Sequence, residues 1–303
     1  MVDIKLALTI DVEPLPRKML VLFRDKDIPL NTAFPTLLDL TEKYNIPMTY
    51  FITHDYWDKI DLRFPHLVQR ASENGEVASH VHFSDGRIYR TDYGFQRMLI
   101  ESATDSLRSQ GFNVRSFRGG AHFFNRDTLR VLEELNYSVD SSIVPGLYAK
   151  PVRGLVIDHR KATSLIPYFP SRNDPHLLGH STVLEVPLTS YPILRFRTKA
   201  MEFLVAVPLD FHVIFQKPLF AIFKFQKLLM KEPGAVITIG FHTYDLLHIR
   251  RYDIEKFFTT AKRMNVKFCT LSEVRKSYKP ISEQSIRINF AFQTYSKLFY
   301  MPI

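Results

Sequence analysis

Lys5-Leu-Ala-Leu-Thr-Ile-Asp-Val-Glu13 decides how this chain is read. Apolar residues fill most of Leu6 to Ile10, as in a strand buried on both faces. The strand is expected to end at Asp11, so that two acids, Asp11 and Glu13, close it. Working outward, the same alternation recurs. A helix is expected over Asn31–Tyr44 with Asn31 as its cap, then a strand over Pro47–Thr53. A helix over Phe64–Asn74 stops at Gly75, and Glu76–His80 reads as a strand. A longer helix spans Thr91–Gln110, a strand Val114–Arg118, a helix Arg126–Leu135 and a strand Tyr137–Asp140. Proline-rich sequence from Pro145 to Ser181 reads as loop. Strands are expected at Thr182–Pro187, Ala235–Phe241 and Val266–Leu271, with a helix over Ile254–Met264. Strands alternating with helices at this spacing predict an α/β fold, a parallel sheet covered by helices. The number of units suits a barrel better than an open sheet.

The composition bounds the rest. The chain has 303 residues, 46% of them apolar, which supports a packed core and excludes a wholly disordered chain. One cysteine, Cys269, excludes an internal disulfide framework and an all-cysteine zinc site. The opening residues alternate like a strand and lack the basic start and apolar middle of a signal peptide. No apolar run reaches the ~20 residues of a membrane span; the nearest, Phe203–Phe215, is broken by Pro208, Asp210 and His212. The expectation is a cytoplasmic protein. A net charge of +9 suits an anionic partner without choosing among nucleic acid, membrane and acidic substrate. No nucleic-acid-binding signature accompanies it, so none is expected to bind.

In parallel α/β folds, chemistry collects at the carboxyl ends of strands. Here those ends carry Asp11 and Glu13, His80 and His82, Arg118, and His242. Carboxylates and imidazoles together suit one divalent metal: zinc above all, with nickel, cobalt, iron or manganese as alternatives. That metal would support hydrolysis, with a free carboxylate taking the proton of water. Each residue also has a plain structural reading: a turn cap for Asp11, a backbone contact for His80, an ion pair for Arg118. His122, His159, His176, His180, His212 and His248 read as surface or loop residues.

At these residues the chain resembles the NodB-homology polysaccharide deacetylases, carbohydrate esterase family four. Leu8-Thr-Ile-Asp-Val-Glu-Pro14 resembles the first motif in an Asp-x-Glu form. Pro47-Met-Thr-Tyr-Phe51 and Gly75-Glu-Val-Ala-Ser-His80 resemble the next strand and the run into the metal histidines. Phe117-Arg-Gly-Gly120 with Asp140-Ser-Ser142 resembles the third motif, and Leu184-Glu-Val-Pro187 and Ile239-Gly-Phe-His242 the last two. The resemblance runs in order over roughly residues 3–275. It implies a distorted, partly open barrel of about seven βα units over residues 1–279, leaving 280–303 as an aromatic C-terminal extension. It also implies hydrolysis of an N-acyl group at one divalent metal. Asp11 matches the base, Arg118 the residue orienting it, and His242 the acid that protonates the leaving amine. Glu13 and His80 match metal ligands. An N–H beside Gly146 or Tyr148 is expected to help hold the oxyanion.

The usual second motif places a histidine four residues after the first, yet Ser84 stands there. His82, or else Asp85, has to substitute, or the metal is lost and the chain is a catalytically inactive glycan- or lipid-binding module. A hydrolase of a non-sugar amide is the other alternative. Tyr168-Phe-Pro-Ser171, Leu184–Ser190 and Phe241–Leu247 look like a deacetylase-like group linked to surface-glycan assembly, which implies an amino-sugar or glycan-precursor substrate. The aromatic, basic stretch Phe211–Lys231 reads either as a barrel helix with solvated lysines or as a surface touching an anionic membrane.

Overall fold

A computed structural model describes residues 3–278 apart from 17–18, 21, 24, 86–87, 152–153, 163–165, 198–201, 209–210 and 232–233, and gives backbone alone at 191–197, 202–208 and 211–213. The extension over 280–303 lies outside the described residues.

Seven parallel strands follow one another around the sheet. They are β1 (Lys5–Val12), β2 (Thr49–Thr53), β3 (Glu76–Val81), β4 (Ser116–Gly119), β5 (Val139–Asp140), β8 (Leu184–Glu185) and, on the far side of β1, β11 (Ile237–His242). A short β12 (Lys267–Phe268) pairs with the start of β1. The gap between β8 and β11 is partly bridged, because Thr189 N–H donates to the Thr238 carbonyl at 2.9 Å. This curled sheet with helices outside is the partly open (β/α)7-type barrel.

The period-two alternation of strands sorts residues between the two faces. Leu6, Leu8, Ile10 and Val12 of β1 join the large core shared with the helices. That core includes α1 (Phe34–Tyr44), α4 (Tyr93–Ser109), α5 (Arg126–Glu134), α7 (Pro218–Lys231) and α8 (Arg251–Arg263). Ala7, Phe51, Ala78, Val139, Leu184 and Val186 form a separate inner cluster, closed by Leu271 and Val274 of α9 (Leu271–Ser277). Above this floor, the inward positions Asp11, His80, Arg118 and His242 are polar.

Several boundaries differ from the sequence reading. Asp11 lies inside β1, which continues through Val12, so the strand delivers the acid in extended geometry. Asn31 caps nothing: it sits in a wide π-type turn over Pro29–Ala33 that runs into α1 at Phe34. The expected loop from Pro145 contains β6 (Tyr148–Ala149) and β7 (Ile157–Asp158). These join β9 (Ser190–Arg197) and β10 (Glu202–Pro208) in an antiparallel sheet, order β7-β6-β10-β9. Proline-rich composition hid pairings this short. The helix expected over Phe64–Asn74 is α3 (Pro65–Glu73), with Pro65 starting it, and a short unexpected α2 (Ile60–Arg63) precedes it.

β5 and β8 place Asp140 beside Glu185, both fully buried. Burial, reinforced by the Asp140 charge, drives the Glu185 pKa well above its ordinary value, so the carboxyl stays protonated. Above the unfolded value near 4.5 the unfolded chain loses a proton that the folded chain keeps, so stability falls as pH rises. Glu185→Gln is expected to flatten this fall and to raise the neutral-pH melting temperature by roughly 2–4 °C. Thermal denaturation of both proteins between about pH 5 and 8 checks it.

Candidate active site

The site is assembled from the carboxyl ends of β1, β3, β4 and β11. Arg118, on β4, is fully buried and fixes its floor. Its Nη1 donates to Asp11 Oδ1 at 2.7 Å, its Nη2 to Thr9 Oγ1 at 2.7 Å, and its Nε to the Ser141 carbonyl at 2.9 Å. The guanidinium also lies 4.2 Å from the Phe51 ring centroid. Burial would raise the Asp11 pKa, but the charges of Arg118, His80 and His242 outweigh it and hold the carboxyl well below its ordinary value.

Three imidazoles face this carboxylate, and each has its Nδ1 already engaged. His80 Nδ1–H donates to the Arg118 carbonyl at 3.0 Å. His82 Nδ1–H points to Asp55 Oδ2 at 3.2 Å, and His242 Nδ1–H to Asp245 Oδ2 at 2.9 Å. With Nδ1 so engaged, a neutral ring carries its lone pair on the inward Nε2, the tautomer that a metal requires. Glu13 lies between them: Oε2 is 3.8 Å from His82 Nε2, and Oε1 is 3.4 Å from His242 Nε2. Donor atoms of Glu13, His80 and His82 lie within 4.8 Å of one another, as do those of Asp11, Glu13 and His242. The Nε2 of His80 and, on losing its proton, that of His82, together with the Glu13 carboxylate, fit a divalent N/O-ligated ion, with Asp55 backing His82.

All six residues singled out from sequence thus meet in one place. β3 runs through Val81, so His80 and His82 leave it two residues apart with rings 4.8 Å between centroids. Asp85, the alternative substitute, accepts the Ile88 N–H in a turn and is not among these donors. Gly120 makes room: a Cβ there would stand 1.9 Å from the His82 ring.

Burial opposes charge on His82, yet the Asp55 hydrogen bond and the Glu13 charge carry its pKa up to about 9. His242 reaches about 9 in the same way, through Asp245 and Glu13 against burial. His80 is driven down to about 3, chiefly by burial and against the pull of Asp11. Glu13 is raised, with burial outweighing the attraction of His82 and His242.

Gly146 N–H donates to the His159 carbonyl at 3.0 Å and is committed. His159 is no surface residue: it is buried, and its Nδ1 accepts the Val144 N–H. His122 is half-buried. It feels the charges of Arg118, Asp11 and His242, burial holds its pKa near 4, and its buried Nδ1 has no partner. Ala121 and His122 both adopt left-handed backbone, at φ 53° and 62°. Such strain costs about 1–3 kcal/mol per residue and gathers at functional sites. The signal available was position, since His122 is the first polar side chain after Arg118-Gly-Gly. The sequence reading does not reach Asp55 or Asp245; Asp55 stands just past the end of β2, as Glu13 and His82 stand just past β1 and β3.

With this geometry in view, the comparisons with known proteins are specific. Residues 5–139 match the polysaccharide deacetylase family. The match covers Asp11, Glu13, His80, His82 and Arg118 and stops before His242. The structure is similar to a Mycobacterium smegmatis protein described as a polysaccharide deacetylase, with TM-score 0.57, 16% identity and 92% of each chain covered. It is also similar to a 4-alpha-glucanotransferase from Thermococcus litoralis, with TM-score 0.62 and 12% identity, covering 99% of this chain and 47% of that one. At these identities the likeness establishes the fold. No curated protein matches the sequence.

Proposed function

We propose that the chain is a metal-dependent hydrolase that removes an N-acyl group from an amino sugar or glycan precursor in surface-polysaccharide assembly. The observation that carries this is the convergence of three imidazole Nε2 atoms and Glu13 around Asp11, each ring held through Nδ1 by a backing acceptor. Glu13, His80 and His82 would hold the ion, which supplies Lewis acidity to the acyl carbonyl and the attacking water. Asp11 takes the proton from that water; Arg118 keeps it ionised and aimed. His242, protonated at neutral pH, lies 3.8 Å from Asp11 through its Nε2 and delivers the proton that lets the amine leave. His82 in the place of the missing histidine supports an active enzyme over an inactive module. Acetate release from N-acetylglucosamine oligomers, abolished by chelator and restored by zinc or another divalent ion, tests the reading. Oligomers left intact under every metal condition would contradict it.

The aromatic, basic stretch divides its roles. Phe215, Ile222, Phe225 and Leu228 are buried, whereas Leu219, Phe220, Phe223 and Met230 are 66%, 51%, 50% and 70% exposed. Lys224 lies 5.1 Å from the Phe220 ring and Lys227 4.6 Å from that of Phe223, and α7 contains no acidic residue. No helix among the described residues is long and apolar enough to cross a membrane. This face suits the surface of an anionic bilayer, on the cytoplasmic side if the substrate is lipid-linked, because apolar rings enter the interface while lysines meet headgroups. Co-sedimentation with vesicles is expected to rise with anionic lipid content and to fall in Phe220→Ser/Phe223→Ser. Binding indifferent to lipid charge would contradict it.

A further inference from the structure

Trp57 is the only tryptophan of the chain, and it is not in the core. Trp57 is 55% exposed and its neighbour Tyr56 54%, their rings packed edge to face at 5.0 Å between centroids. Large aromatic side chains left half in water forgo much of the burial that stabilises a fold, which points to a surface kept for a partner.

The loop that bears them is firmly held. Asp55 Oδ1 accepts the N–H groups of Trp57 and Asp58, each at 2.8 Å. Asp55 N–H donates to the Asp58 carbonyl at 2.8 Å. Lys26 and Arg63 both pair with Asp58, at 2.9 Å each. The other oxygen of the same carboxylate, Oδ2, takes His82. One buried acid therefore orients a candidate metal ligand with one oxygen and pins the aromatic pair with the other. Two residues of chain reach at most about 7 Å, so the pair stands immediately beside the site.

We propose that Tyr56 and Trp57 form a stacking subsite for a sugar ring adjacent to the unit that carries the acyl group, making the preferred substrate an oligomer of N-acylated amino sugars. This rests on the glycan-deacetylase reading. A pyranose presents a face of C–H groups bounded by hydroxyls, which matches an aromatic face with polar groups around it. Asp58 and the lysine and arginine paired with it supply that polar rim. The lipid-facing character lies elsewhere, on α7, whereas this loop carries two acids.

A single tryptophan makes the test direct. The full chain is titrated with tetramers of N-acetylglucosamine and N-acetylgalactosamine while tryptophan emission is followed, with the metal loaded and after chelation. A saturable blue shift or quench is expected with a tetramer in both states, and monomers should bind more weakly. By calorimetry, Tyr56→Ala and Trp57→Ala should each weaken the tetramer two- to tenfold, the weight of an aromatic contact. Trp57→Phe should keep binding while losing the signal. Metal content should be unchanged in all three variants, which separates loss of the subsite from loss of the site. Emission that stays constant while a tetramer binds by calorimetry overturns the subsite and leaves the deacetylase reading intact. The same holds if neither tetramer binds but monomers are hydrolysed. Emission that responds to anionic vesicles and not to sugars overturns it in favour of a membrane anchor.

Discussion

Asp11→Asn is expected to lower turnover by ~10²–10⁴, the usual weight of a positioned base. The side chains are nearly the same shape. The amide oxygen can still accept the Arg118 Nη1–H that now reaches Asp11 at 2.7 Å, so the floor of the site keeps its hydrogen bonds. What disappears is the negative charge and its affinity for a proton. That charge also compensates Arg118, which is fully buried. Breaking the ionic half of a buried pair is costly, up to about 3–5 kcal/mol. The variant must therefore be assayed well below its own melting temperature, with kcat read alongside circular dichroism. A folded Asn variant with undiminished kcat would remove Asp11 from the mechanism. The metal is expected to remain, because Glu13, His80 and His82 are untouched; a folded, metal-loaded, slow enzyme is the signature of a lost base.

Much of this architecture was legible before any coordinates. Buried strands ending in polar residues mark themselves, because an acid or imidazole at the end of an apolar run has little reason to be there unless paired or ligated. That logic reached Asp11, Glu13, His80, His82, Arg118 and His242, which the fold gathers at one rim from four separate stretches. It failed where function is supplied at second hand. Asp55 and Asp245 act by bonding an imidazole Nδ1, and a lone aspartate in a turn carries no pattern that announces this. Boundaries shifted where packing overrode local preference. Asn31 has the chemistry of a cap, yet the chain enters α1 through Pro29–Ala33 and leaves it uncapped. In the second sheet β6 and β7 are two residues each, too short for a period to show.

The most direct measurement is metal content. Protein purified without chelator, and a His80→Ala variant prepared alongside it, would be analysed by plasma mass spectrometry. His80 suits this comparison because its ring donates to the Arg118 carbonyl and leaves Nε2 to the site, so its loss removes a donor without touching Asp11 or the Asp55–His82 pair. The expected result is about one divalent ion per wild-type chain, nearly none in the variant, and acyl hydrolysis lost with it. A wild-type chain that takes up no zinc, nickel, cobalt, iron or manganese when these are offered would contradict the account. So would a folded His80→Ala variant that holds its ion as tightly as the wild type.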